Sequence, residues 1–237
     1  MPEFSAKKIL AQLAMLLLLL GTHAQPARAG EIIDRIVATV NGSVILQSDW
    51  DEALCYEALL TARPLAQFTA DERRAVLDRL IDQELLREQM KSSEFVHADP
   101  AEAASQVAEA RARYPEAAAD AGWEAVLARF RLTEKDLLTR VRQQIDLEHL
   151  VDARLRPAVQ IDSKSVEAYY REKFVPQVRQ TGATEAPLAD VSAKIRELLT
   201  EQKVSELLVS WLQTLRSESA VGVPAAPALN DEGEQSR

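Results

Sequence analysis

Glycine is scarce in this chain, with 7 residues in 237, and aromatic residues make up only 5%. A β-sandwich or barrel with many tight turns draws on glycine for positive φ, so those architectures are disfavoured. Glycine-rich loops that cradle phosphate are missing for the same reason. Basic charge is also short: 28 Lys and Arg stand against 37 Asp and Glu, a net charge of −9. A nucleic-acid binder shows a basic face or stripe, and a protein docking on anionic lipid needs clustered cations, so both classes are excluded. Histidine is limited to 3 residues, and Cys55 is the only cysteine. No H-x-x-x-H, C-x-x-C or H-E-x-x-H spacing exists to hold zinc, and no G-x-S-x-G elbow presents a nucleophile. What remains, 47% hydrophobic and 27% charged residues, is the composition of a globular helical protein of one domain or slightly more.

Residues 1–29 read as a secretory leader. Lys7 and Lys8 form its positive end, Ile9 to Leu20 its apolar centre, and Ala27-Arg28-Ala29 an A-x-A cleavage site, with a second possible cut after Ala24. A centre of twelve residues at 1.5 Å each falls short of the ~30 Å hydrocarbon core, so stable membrane insertion is not expected. Lys7, Lys8, Arg28 and Glu3 leave with the leader, giving 25 basic against 36 acidic residues and a net charge of −11. Exported to an oxidising compartment without a partner in its own chain, Cys55 reads as a small buried hydrophobe between Leu54 and Tyr56.

Capping signals and proline punctuate the rest. Ile33 to Val40 and Ser43 to Leu46 flank Asn41-Gly42, the pair suited to a type I′ hairpin turn. Ser48 with Asp51 reads as a capping box for a helix to about Ala62, Thr69 with Glu72 as a second, and Thr133 with Asp136 as a third. Asp99-Pro100 opens a helix with an N-cap and a proline at its first position. A short helix is expected from about Trp123 to Phe130, and Ser163 is expected to cap one containing Val166, Tyr169, Tyr170 and Phe174. From Leu188 to about Ser217 one long helical run changes the phase of its apolar stripe. Val191, Ile195, Leu198 and Leu199 lie on one face, and Leu207, Leu208, Trp211, Leu212 and Leu215 on the opposite one. Such a helix packs on different partners along its length or bends near Gln202. Ala220 to Val223 can supply a third strand, which a lone hairpin needs for stability in water.

Side chains that could carry chemistry are isolated. His97 and His149 stand on separate elements. The carboxylate groups Asp49/Asp51/Glu52, Asp82/Glu84 and Asp231/Glu232 read as solvated residues of helix starts, favoured by the helix dipole. The arginines 111/113, 129/131 and 140/142 are paired at i, i+2, which points them to different sides of a helix. No catalytic, metal-binding or cofactor-binding residue is identified, and no cofactor is expected. Of Trp50, Tyr56, Trp123, Phe130, Tyr169, Tyr170, Phe174 and Trp211, most are expected in the core and a minority in a concave surface. Trp211 is expected to fill a core pocket, the alternative being an open cradle.

The opening Ile36-Val37-Ala38-Thr39-Val40-Asn41-Gly42-Ser43-Val44-Ile45-Leu46-Gln47-Ser48-Asp49 resembles the hairpin that leads into the helical core of SurA-type periplasmic chaperones. The closing Trp211-Leu212-Gln213-Thr214-Leu215-Arg216 resembles that family's C-terminal helix, which folds back on the N-terminal domain and is followed by a short strand. The resemblance implies a mainly α fold: a helical core with a small N-terminal β-hairpin and a long C-terminal helix docking back on it. It divides the chain into a leader (1–29), an N-terminal chaperone domain (30–175), a loop (176–187), a C-terminal helix and strand (188–223) and a disordered tail (224–237). In fuller members one or two parvulin prolyl isomerase domains occupy the place of that loop, and thirteen residues from Val175 to Pro187 cannot hold one. The resemblance therefore implies an ATP-independent periplasmic holdase without isomerase activity, its partners unfolded or extended polypeptides such as outer-membrane β-barrel proteins. The alternatives are a dedicated assembly partner of one envelope complex and a degenerate isomerase homologue without activity. No single residue is marked for peptide contact.

Overall fold

Asn41 and Gly42 adopt φ of 48° and 90°, the left-handed pair that a tight hairpin turn requires. They join β1 (Ile36–Val40) to β2 (Ser43–Leu46) in antiparallel register, Thr39 opposite Val44 and Val40 opposite Ser43, with a bulge between Ile36 and Ala38. A computed structural model describes residues 34–182 and 184–224. The leader expected over residues 1–29 and the tail beyond Pro224 lie outside the described residues. The third strand forms as the sequence suggests: β3 (Val221–Gly222) pairs antiparallel with β1, Thr39 opposite Gly222, in the order β2-β1-β3. Asn41 fastens it. Its backbone N–H donates to the Ala220 carbonyl at 3.0 Å, and its side-chain oxygen accepts the Ala220 N–H at 2.8 Å. Its amide nitrogen donates to Glu88 at 2.6 Å and to the Ser219 hydroxyl at 3.1 Å.

Helix α1 (Gln47–Thr61) follows β2 without a loop. Its cap differs from the expected Ser48/Asp51 box: the helix begins earlier, Leu46 is the N-cap, and the Asp49 carboxylate accepts the Leu46 N–H at 2.8 Å. The Ser48 hydroxyl donates instead to the Asp34 carboxylate, which is held below the usual carboxylate range by that bond. The other boxes form as read. In α2 (Ala70–Met90) the Thr69 hydroxyl accepts the Glu72 N–H at 3.2 Å, while the Glu72 carboxylate accepts the Thr69 N–H at 2.8 Å. Asp99 caps α3 (Pro100–Arg111) through the Ala101 N–H at 2.7 Å. Helix α4 (Asp120–Arg129) starts three residues before Trp123, and Thr133 caps α5 (Glu134–Leu155).

Beyond α5, Asp162 rather than Ser163 is the N-cap of α6 (Ser163–Tyr169), accepting the Ser165 N–H at 2.7 Å. Here the structure departs further from expectation. The chain passes from α6 through a π-helical stretch, Tyr170–Phe174, into α7 (Val175–Gln180), so the loop expected over residues 176–187 begins only after Gln180. Pro176 has no N–H, and in an uninterrupted α-helix its ring would press on the carbonyl four residues back. Widening the preceding turn, where the Val175 N–H donates to the Tyr170 carbonyl, lets the helix continue through it. Tyr170 stacks on Phe174 with ring centroids 5.5 Å apart, and its hydroxyl donates to the Ala186 carbonyl at 2.9 Å.

The long helix α8 (Leu188–Glu218) is unbroken, and its two apolar stripes meet different partners along its length, as one reading of the phase change expects. It packs on α6, α5 and α2. Ile195 and Val166 are buried outside the main core, whereas Val204 and Leu215 enter it with Leu208, Trp211 and Leu212 against it. At 100° per residue Ile195 and Val204 stand about half a turn apart. The main core is built from α1, α2, α4 and α5, with Leu59, Ile81, Leu85, Trp123, Leu137, Ile145 and Leu150 among its fully buried side chains. Each such residue contributes ~1.5–3 kcal/mol by burial, against ~1 kcal/mol for a cap. Packing therefore dominates stability, and the caps set where helices start.

Candidate functional site

Beside that core, β2, α1, α2, α3 and α5 leave a groove of about 1240 Å³ between them. Its apolar floor includes Ile45, Tyr56, Leu60, Leu80 and Val141, and Val44, 50% exposed on β2, belongs to its lining. The amphipathic helices produce this arrangement directly. On α1, Ala53 and Tyr56 line the groove while Leu54, Ala58 and Leu59 go into the core. On α5, Val141 and Leu147 contribute to both.

Charges stand above the floor. Arg140 reaches from α5 to Glu52 on α1 at 2.7 Å, with its guanidinium carbon 5.5 Å from the centre of the Tyr56 ring. Arg79 pairs with Glu57 at 3.0 Å, joining α2 to α1, and Arg87 with Glu84 at 2.6 Å along α2. Arg113 donates to the Leu60 carbonyl, tying the end of α3 to α1. Burial pushes the Tyr56 phenol above its ordinary value, against the pull of Arg140, so it stays a neutral, amphipathic surface at physiological pH. The site has the attributes of a binding surface: a wide opening, an aromatic ring on the floor, and charged walls held by ion pairs.

Residues singled out in the sequence fall partly elsewhere. Cys55 is buried, and desolvation raises its thiol above the ordinary range, as suits a packed hydrophobe. His149 contacts the Val96 carbonyl through Nδ1 at 2.7 Å, and His97 lies 3.4 Å from Asp146. Both histidines thus serve the segment between α2 and α3. Asp49 and Asp51 do sit at a helix start, where Asp51 accepts from the Gln47 amide at 2.9 Å. Asp82 and Glu84 correct the expectation of solvated helix starts, since both lie within α2 and are paired, Asp82 with Arg216 at 2.6 Å. The pair Asp231/Glu232 lies outside the described residues. Among the aromatics Trp123 and Phe130 are buried, whereas Trp50, Tyr56, Tyr169, Tyr170, Phe174 and Trp211 are half-buried. Fewer are fully enclosed than expected, and no aromatic among the described residues is exposed. Trp211 is not in the groove; it rests against the core with Arg154 4.8 Å from its ring. Glu109 and Glu148, which the sequence did not single out, line the groove. Their signal was faint, because an acidic residue on an exposed helix face is ordinarily solvated. Among the described residues no group of three or more His, Cys, Asp or Glu is placed to hold a metal ion, and no helix is long and apolar enough to cross a membrane.

A search among curated proteins finds no match for this chain. Residues 3–151 match the family described as the SurA-like N-terminal domain, and no parvulin domain is detected. That match spans every residue lining the groove and ends before the long C-terminal helix; in the structure the hairpin, the helical core and the returning helix are those the sequence resemblance implied. The chain belongs to the SurA-like N-terminal domain family.

Proposed function

We propose that this protein is an ATP-independent periplasmic holdase that shelters unfolded or extended polypeptides, among them proteins bound for the outer membrane. The observation that carries the reading is the coincidence of the family match, residues 3–151, with the elements that wall the groove. Small-molecule sites typically occupy ~300–1,000 Å³ and are mostly apolar. At about 1240 Å³, with charged walls, the groove better suits a stretch of chain. Shallow apolar floor and wall charges each bind weakly, and a client touching several such places at once is retained by their sum. The net charge of −9 keeps the chaperone itself soluble. The leader read at residues 1–29 supports the compartment, and the short connection after α7 supports a chain without an isomerase module.

Light scattering tests this directly. With the protein present and ATP absent, aggregation of an unfolded outer-membrane β-barrel and of an unrelated unfolded protein should both be suppressed. The rate of X-Pro isomerisation in a peptide should stay at its uncatalysed value. Suppression confined to a single client would favour a dedicated assembly partner, and catalysed isomerisation would overturn the reading of the missing module.

A further inference from the structure

The groove's charges are not used evenly. It is lined by five cationic side chains, Arg79, Arg87, Arg113, Arg140 and Lys135, and by seven carboxylates. Four of the cations are already engaged within the chain: Arg79 by Glu57, Arg87 by Glu84, Arg140 by Glu52, and Arg113 by the Leu60 carbonyl. Of the carboxylates those pairs leave over, Asp49 caps α1 and Asp136 caps α5. The remaining two, Glu109 on α3 and Glu148 on α5, have no cation within 4.0 Å among the described residues. Glu148 accepts only the Gln144 amide, at 3.0 Å. Lys135 is the one lining cation with no carboxylate within 4.0 Å among the described residues, so an anionic occupant finds a single free cation and would have to draw the arginines out of contacts they already make. A cationic occupant meets carboxylates that are free, and gives up no existing contact.

We propose that the groove selects extended polypeptide segments in which Lys or Arg flanks apolar or aromatic side chains, the apolar groups resting on Tyr56 and Leu60 and the cations meeting Glu109 and Glu148. This rests on the client-binding reading above and adds the chemistry of the client. Other occupants fit less well. A second copy brings the same negative net charge of −9, and the chain's own residues beyond Pro224 carry Asp231, Glu232 and Glu234 against Arg237 alone. Like charge opposes both.

The test is fluorescence anisotropy with three labelled unfolded peptides that share one aromatic-apolar centre and differ only in Lys, Ser or Glu flanks. The Lys-flanked peptide should bind best and the Glu-flanked one worst, about tenfold apart at low ionic strength, with the gap closing at about 0.3 M salt. The double variant Glu109→Gln/Glu148→Gln, at two exposed positions, should weaken the Lys-flanked peptide several-fold, down to the affinity of the Ser-flanked one. Equal affinity for all three, or a preference that survives the double variant, overturns the charge selection while the Ser-flanked peptide still reports client binding. Failure of all three to bind overturns client binding as well. Self-association relieved by the same variant would put a second copy in the groove and likewise overturn the proposal.

Discussion

Gly122 shows how one residue can constrain a helix. A Cβ at this position would lie 2.0 Å from the Glu116 carbonyl oxygen and 3.1 Å from its carbon, both rigid backbone atoms. The glycine lets α4 close on the 3-10 turn Pro115–Ala118, which seats Trp123 at 1% exposure. Gly122→Ala should therefore cost about 2–3 kcal/mol, as overpacking against an unyielding neighbour does, and should move the urea midpoint well below that of the parent. An unchanged midpoint would mean that α4 has room to shift. Trp211 is a milder case. It is half-buried, packed on the core and covered by Arg154, so Trp211→Ala should lose about 2 kcal/mol, below the ~3–5 of a fully enclosed tryptophan. Because Trp211 lies outside the groove, peptide affinity should hold while the melting temperature falls. The reverse pattern would return it to an open cradle.

At the scale of elements, the capping box of α2 is sensitive to acid. The Arg63 hydrogen bond, followed by the Thr69 N–H, lowers the Glu72 carboxyl from 4.5 to about 2. A carboxylate depressed on folding contributes stability that is complete above its unfolded value and is lost as pH falls through its folded one. The window is thus about 4.5 down to 2. Glu72→Gln should flatten the fall in melting temperature across that range while leaving the shape of the curve above it unchanged. Parallel curves for parent and variant would show that Glu72 does not carry the acid sensitivity. The passage from α6 to α7 makes a different point. Proline with nearby glycine and threonine reads as a loop because each disfavours helix locally. A change of hydrogen-bond register at Tyr170–Phe174, together with the Tyr170 tether to Ala186, was enough to carry the helix through.

For the whole molecule, the decisive joint is the return of residues 188–222 to the N-terminal sheet. Val204 and Leu215 enter the main core, Arg216 donates to Asp82 at 2.6 Å and to the Asp78 carbonyl at 2.9 Å, and β3 completes the sheet. Deleting residues 188–237 would expose Val40 and part of the α2 and α5 faces and leave the hairpin as two strands, which is marginal in water. Thermal unfolding of the truncated chain should show a melting temperature lowered by ten degrees or so or a broad, non-cooperative loss of structure. A truncated chain that melts like the full one would show that the returning segment adds no stability.

Much of this was legible from the residues alone. The hairpin at Asn41-Gly42, the caps at Thr69, Asp99 and Thr133, and the two phases of α8 are local patterns, and local backbone sterics and hydrogen bonding determine them. The start of α1, the helix through Pro176, and the choice of which aromatics are enclosed were decided only by tertiary structure. So was the groove: Glu109 and Glu148 are ordinary surface acids on their own helices until α3 and α5 pack side by side over Tyr56. Helix periodicity tells which face of an element is apolar, but only packing decides how much of that face its neighbours cover, and the uncovered remainder forms the candidate site.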